Sequence, residues 1–146
     1  MEGRKQHSIL LVEDDETARE ILVNVFSIKF PEITFLVADN GKSGLESFQK
    51  HSPVMVITDV NMPVMDGICM AREIKAIAPG VKLIILTAIS DKHILESSLS
   101  VGIEIDHYIM KPVEFDKLFS VVEQCLTTVE ACHSCANDAS GEVTGC

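Results

Sequence analysis

Apolar positions along this chain fall into two alternating rhythms. Short runs predict five strands over residues 9–12, 33–38, 54–58, 81–86 and 103–110. Between them the spacing changes to i, i+3, i+4. Ala18, Ile21, Leu22, Val25 and Phe26 form one such stripe, starting from Glu16 and ended by Lys29-Phe30-Pro31-Glu32. A second predicted helix spans 41–50, with Leu45 and Phe48 inward. A third opens at Asp66 or Gly67 and carries Ile68, Met70, Ala71, Ile74 and Ile77 to Ala78, where Pro79-Gly80 stops it. A fourth spans about 91–100, with Ser90 or Asp91 as N-cap and Gly102 as its end. The last runs from Glu114 to about Val129 on Phe115, Leu118, Val121, Val122, Cys125 and Leu126. Five repetitions of strand then helix predict an α/β fold, a doubly wound five-stranded parallel sheet with right-handed crossovers and five helices. The run 54–58 is solidly apolar, as a strand buried on both faces should be, and 81–86 is similar. The run 33–38 is mixed, as an edge strand should be.

Composition narrows the function classes. Apolar residues make up 47% and charged residues 23% of the 146, the balance of a globular domain. A net charge of −10 argues against direct binding of nucleic acid or anionic lipid, since both need a basic face. The apolar runs are too short for a membrane span or a signal-peptide core, so a cytoplasmic protein is expected. Residues 133–146 are small and polar and are expected to form a disordered tail. Four of the five cysteines, Cys125, Cys132, Cys135 and Cys146, lie in or near that tail, which does not suit a secreted disulfide framework.

Candidate chemistry gathers at the strand ends. Strand one ends in Glu13-Asp14-Asp15, strand three in Asp59, strand four in Thr87 and strand five in Lys111. In a parallel sheet these ends share one rim, the edge where open α/β sheets bind ligands. Carboxylates crowded there repel one another unless a cation neutralises them. Oxygen ligands without Cys or His suit a hard ion such as Mg2+. An ammonium and a hydroxyl beside them suit a phosphoryl group, with Asp59 as the nucleophile. Taken singly each residue has a plainer role: Asp15 a helix cap, Asp66-Gly67 a turn and cap, Thr87 a strand end, Lys111 a solvated cation, Tyr108 half-buried packing.

Together these motifs resemble the receiver domain of two-component response regulators, of the CheY-like type. The resemblance rests on Ile9-Leu-Leu-Val-Glu-Asp-Asp, Asp59 with Met62-Pro63 and Asp66-Gly67, Leu86-Thr87-Ala88, and Tyr108-Ile109-Met110-Lys111-Pro112. It covers residues 7–128, leaving 129–146 as a cysteine-containing tail. It implies a flavodoxin-like sheet of order 2-1-3-4-5. It implies Asp59 as phosphoacceptor from a sensor histidine kinase or phosphotransfer protein, with self-catalysed transfer and autodephosphorylation rather than enzymatic turnover. It implies Mg2+ held by Asp14 and Asp59 directly, Glu13 through water, and the Asn61 carbonyl. Lys111 would pair with the phosphoryl group, and Thr87 and Tyr108 would form the switch. A downstream protein would read a surface within residues 91–126, and phosphorylation could drive dimerisation. The Lys111-Pro112 bond is expected to be cis. No output domain follows residue 128, so the chain reads as a stand-alone receiver or as part of a larger regulator or phosphorelay protein.

Three other readings compete. Cys132-His133-Ser134-Cys135 with Cys146 could hold zinc or form a redox pair, although a second CxxC is missing. A phosphate-ester hydrolase acting through Asp59 would need a second aspartate two residues on, where Asn61 stands. Nucleotide binding lacks a glycine-rich loop after strand one.

Overall fold

The computed structural model describes the backbone of residues 7–93, 96 and 104–138. Five strands form one parallel sheet in the order β2-β1-β3-β4-β5. They are β1 (Ser8–Val12), β2 (Thr34–Ala38), β3 (Met55–Asp59), β4 (Lys82–Thr87) and β5 (His107–Met110). All of β3 and all of β4 after Lys82 are buried, as solid Val/Ile/Leu runs between two neighbours require. The mixed strand β2 lies at an edge, as its pattern predicts.

Helices follow the strands: α1 (Glu16–Lys29), α2 (Gly41–His51) and α3 (Gly67–Ile77). Their starts are set by short polar caps. The side chains of Asp15, Asn40 and Asp66 accept the N–H groups of Ala18, Ser43 and Cys69, each replacing a bond that the first turn cannot make internally. Side chains alternate faces along a strand, so β1 feeds both layers. Leu10 and Val12 join Phe48 of α2 and Met70, Ala71 and Ile74 of α3 in one core cluster. Ile9 points the other way and is paired in register with Phe35, whose ring stacks on Phe26 of α1 at 5.1 Å. Helices therefore cover both faces of the sheet. Each fully buried Ile, Leu or Phe contributes about 1.5–3 kcal/mol, so this three-layer core fixes the sheet register firmly. Ile21 and Ile77, placed on the inward stripes by spacing, are exposed.

Two boundaries differ from expectation, and one expected helix is mostly not described. Strand β5 begins at His107, not 103, because Asp106 caps the sheet edge: its Oδ2 accepts the Leu83 N–H at 2.8 Å and its own N–H reaches the Leu83 carbonyl at 3.0 Å. The helix predicted over 91–100 lies largely outside the described residues; a 3-10 turn over Ile89–Asp91 leads toward it. Four of the five expected helices are therefore described. The last of them, α4 (Phe115–Asp138), runs past the expected end near Val129, since no Gly or Pro interrupts it before Gly141. It belongs to a second compact unit, residues 113–146. Within it Leu118, Val122 and Cys125 are buried at helical spacing, and Phe115 and Phe119 stack one turn apart. No described helix is long and apolar enough to cross a membrane.

Candidate functional site

The site is built on the ends of β1, β3, β4 and β5, and its centre is Asp59. As the last residue of a wholly buried strand, Asp59 is only 6% exposed. Its Oδ1 accepts the Val60 N–H at 3.1 Å and meets the Lys111 ammonium at 2.7 Å. The chain must leave β3 sharply to keep this carboxylate at the rim. The Gly67 N–H bonds to the Val60 carbonyl at 2.8 Å, and a Cβ at Gly67 would fall on the Asp59 carbonyl oxygen. Only glycine permits that approach. Between them Val64 takes φ 70°, a left-handed backbone that costs a β-branched residue on the order of 1–3 kcal/mol. It is held there because the next residue is pinned. Met65 donates its N–H to Pro63 at 2.7 Å, and its carbonyl accepts the Gly41 N–H at 2.8 Å.

Glu13 and Asp14 follow β1 directly. Glu13 is 3% exposed and Asp14 lies open to solvent. Carboxylate oxygens of Glu13, Asp14 and Asp59 all lie within 4.8 Å of one another. The Glu13 loop is tied down twice: Oε2 accepts the Asp15 N–H at 3.1 Å, and the Arg19 guanidinium donates to the Glu13 carbonyl at 2.9 Å. Burial pushes the Glu13 carboxyl up to about 7, the charges of Asp59 and Asp14 add to this, and the Asp15 amide and Lys111 oppose it. Lys111 lies 3.9 Å from Glu13 Oε1. Burial alone would lower the Lys111 ammonium, but the bond to Asp59 and the charges of Asp59, Glu13 and Asp91 outweigh it and hold the group above its ordinary value. The Lys111-Pro112 bond is cis.

Three carboxylates with one ammonium leave the cluster short of positive charge. All the donors are oxygens, the set that a hard divalent cation such as Mg2+ takes, so these residues fit that ion. The structure thus brings together Glu13, Asp14, Asp59 and Lys111. Asn61 is exposed at the start of the loop beyond Asp59. Thr87 is buried at the end of β4, next to Lys111 through the Lys111 N–H to Thr87 carbonyl bond of 2.8 Å. Its hydroxyl donates to the Ala88 carbonyl at 3.3 Å. Tyr108 stands 40% exposed on β5. Asp15 and Asp66 are helix caps, as their positions predict. The side chains of Cys132, His133 and Cys135, and all of Cys146, lie outside the described residues. Three contributors escape a reading of the sequence. Arg19 carries no local signal. Gly67 reads as a turn residue rather than a contact to Asp59. Asp91 reads as a cap for the helix after it, yet its carboxylate reaches back to Ala88 and its charge to Lys111.

The chain is similar to known proteins. The family model described as response regulator receiver domain matches residues 9–123. The chemotaxis protein CheY of Halobacterium salinarum is 31% identical over 119 residues, covering 82% of this chain and 96% of that protein. A probable C4-dicarboxylate response regulator, DctR of Bacillus subtilis, is 31% identical over 122 residues, 84% of this chain and 53% of that protein. This chain therefore spans about half the length of the latter relative. Among solved structures, a response regulator receiver domain protein of Clostridium thermocellum superposes with a TM-score of 0.76 at 28% identity, covering 86% of this chain and 98% of that one.

Proposed function

The chain belongs to the response regulator receiver domain family, and from that premise we propose that it accepts a phosphoryl group on Asp59 and uses it to switch a partner-binding surface. The donor is the phosphohistidine of a sensor kinase or phosphotransfer protein. The observation that carries this reading is the Asp59 carboxylate itself, nearly buried, 2.7 Å from Lys111 and within 4.8 Å of Glu13 and Asp14 oxygens. Asp59 Oδ1 is engaged by Val60 and Lys111, which leaves Oδ2 as the attacking oxygen. An O–P bond to Asp59 forms as the donor's N–P bond breaks, and the imidazole leaves with a proton. Lys111 then has a phosphoryl oxygen as well as the carboxylate to bind. Glu13, Asp14, Asp59 and the Asn61 carbonyl would hold Mg2+. Bound there, that ion supplies positive charge to the crowded carboxylates and to the phosphoryl oxygens.

The phosphoryl group adds about 1.5 to 2 negative charges and three acceptor oxygens. In the resting arrangement the Thr87 hydroxyl faces Ala88 and Tyr108 faces solvent. Phosphorylation favours a second arrangement in which Thr87 reaches the phosphoryl group and Tyr108 moves inward. Tyr108 and Met110, both exposed on β5, lie within the surface of residues 91–126 that would change. The chain performs its own transfer and slow loss of the phosphoryl group and turns over no other substrate. The test uses acetyl phosphate or beryllofluoride with Mg2+. Wild type is expected to be modified or to bind, and Asp59→Asn to do neither; equal labelling of Asp59→Asn would overturn the assignment.

A further inference from the structure

One buried anion at this rim has no part in the reading above. Asp91 is 4% exposed. Its Oδ2 accepts the Ala88 N–H at 2.8 Å, and its own N–H donates to the Ala88 carbonyl at 2.9 Å. That carbonyl also takes the Thr87 hydroxyl. Asp91 therefore clamps both polar groups of the Ala88 backbone, and the Thr87 hydroxyl is parked on the same residue. Leu86 is the register partner of Asp59, so the Thr87–Ala88 corner begins one residue beyond the phosphoacceptor's neighbour. The Ala88 amide lies past the end of the β4 ladder and is bonded to a carboxylate, which marks it as a donor suited to anions. The Asp91 charge also acts on Lys111, whose ammonium holds Asp59.

We propose that Asp91 is a positioning residue that keeps the Thr87–Ala88 corner in its resting arrangement, an internal anion competing with a phosphoryl group on Asp59 for the Ala88 N–H. This deepens the phosphoacceptor reading and rests on it. A phosphoryl group brings new negative charge and three acceptors to the same rim. Asp91 is repelled, and the Ala88 N–H gains a stronger acceptor. A ligand shifts an equilibrium only by its differential interaction with the two states, so removing the internal competitor should make the phosphoryl analogue bind more tightly. A carboxylate that merely caps the loop predicts the reverse: loss of the clamp loosens the corner and weakens every ligand of the site.

The experiment titrates the full chain with beryllofluoride at saturating Mg2+ for wild type, Asp91→Asn and Asp91→Ala, with urea unfolding of each. Asp91→Asn keeps an acceptor for the Ala88 N–H but removes the charge; Asp91→Ala removes both. The expected result is lower stability of Asp91→Ala together with beryllofluoride binding about fivefold tighter or more, and a smaller gain in Asp91→Asn. If Asp91→Ala does not fold, the gain in Asp91→Asn decides. Unchanged or weaker binding in the folded variants, with wild type binding normally, overturns the role of Asp91 alone. Absence of binding by wild type overturns the phosphoacceptor reading and this inference with it.

Discussion

Both rims of the sheet bring lysines to an aspartate, and the two clusters behave differently. At the rim where β4 and β5 begin, Asp106 faces Lys75 at 3.9 Å and Lys82 at 3.8 Å. Its Oδ2 also caps the Leu83 N–H, and Lys75 donates to the carbonyls of Val81 at 2.8 Å and Pro79 at 3.2 Å. One anion there meets two cations, and the backbone takes up what remains. At the opposite rim the ratio is inverted: among the described residues the carboxylates of Glu13, Asp14 and Asp59 gather around the Lys111 ammonium, while the Arg19 guanidinium is engaged with the Glu13 carbonyl. The first cluster is complete and serves the fold. The second is short of positive charge, and that shortage supports its proposed role as the site. Charge density alone does not separate the two; the balance of signs does.

The largest effect that sharpens this contrast comes from Lys111. Removing the ammonium that meets Asp59, in Lys111→Ala, is expected to slow phosphorylation of Asp59 by acetyl phosphate about 10²–10³-fold, measured at saturating Mg2+. A change below threefold would break the proposed role. Next comes a matched pair of carboxylate deletions. Asp106→Ala leaves the Leu83 N–H without its acceptor and should cost about 1–3 kcal/mol in urea unfolding, with phosphorylation unchanged. Asp14→Ala should do the opposite, leaving stability level or slightly higher while Mg2+ binding, followed by titration, weakens at least about tenfold. If both variants lose the same property, the two rims are not distinct in kind.

The smallest effect is on pH. The Glu13 carboxyl is raised to about 7 from 4.5, so the folded protein binds more protons than the unfolded chain between those values. Stability contributed by this group then falls as pH rises from about 4.5 through about 7 and is level above, with a slope of at most about 1.4 kcal/mol per pH unit. Glu13→Gln should remove that part of the slope in metal-free unfolding measured across the window; an identical slope in the variant would show that Glu13 is not its source.

Strand identity was legible wherever one environment holds for a whole element. Solid apolar runs could only be buried strands, and β1, β3 and β4 follow them closely. The acidic pair after β1, Asp59, Thr87 and Lys111 could each be placed at a strand end, and parallel strands carry such ends to one rim. Element ends were less legible. The start of β5 depends on Asp106 reaching Leu83, a residue 23 positions away, and no local pattern reports such a bond. Ile21 and Ile77 sat on correct helical stripes and are nevertheless exposed, because a stripe records direction and not the width of the surface that covers it.

By itself the sequence determined the order of the elements, the parallel sheet and the residue types at its carboxyl rim, because periodicity and strand-end position are properties of short stretches of chain. Tertiary structure alone decided which charges share a low-dielectric space. It raised Glu13 by burying it, fastened Lys111 to one oxygen of Asp59, pressed Gly67 against the Asp59 carbonyl, and turned Asp91 back onto Ala88. These are through-space effects that fall steeply with distance and depend on exclusion of water, so they exist only once distant segments have closed on one another.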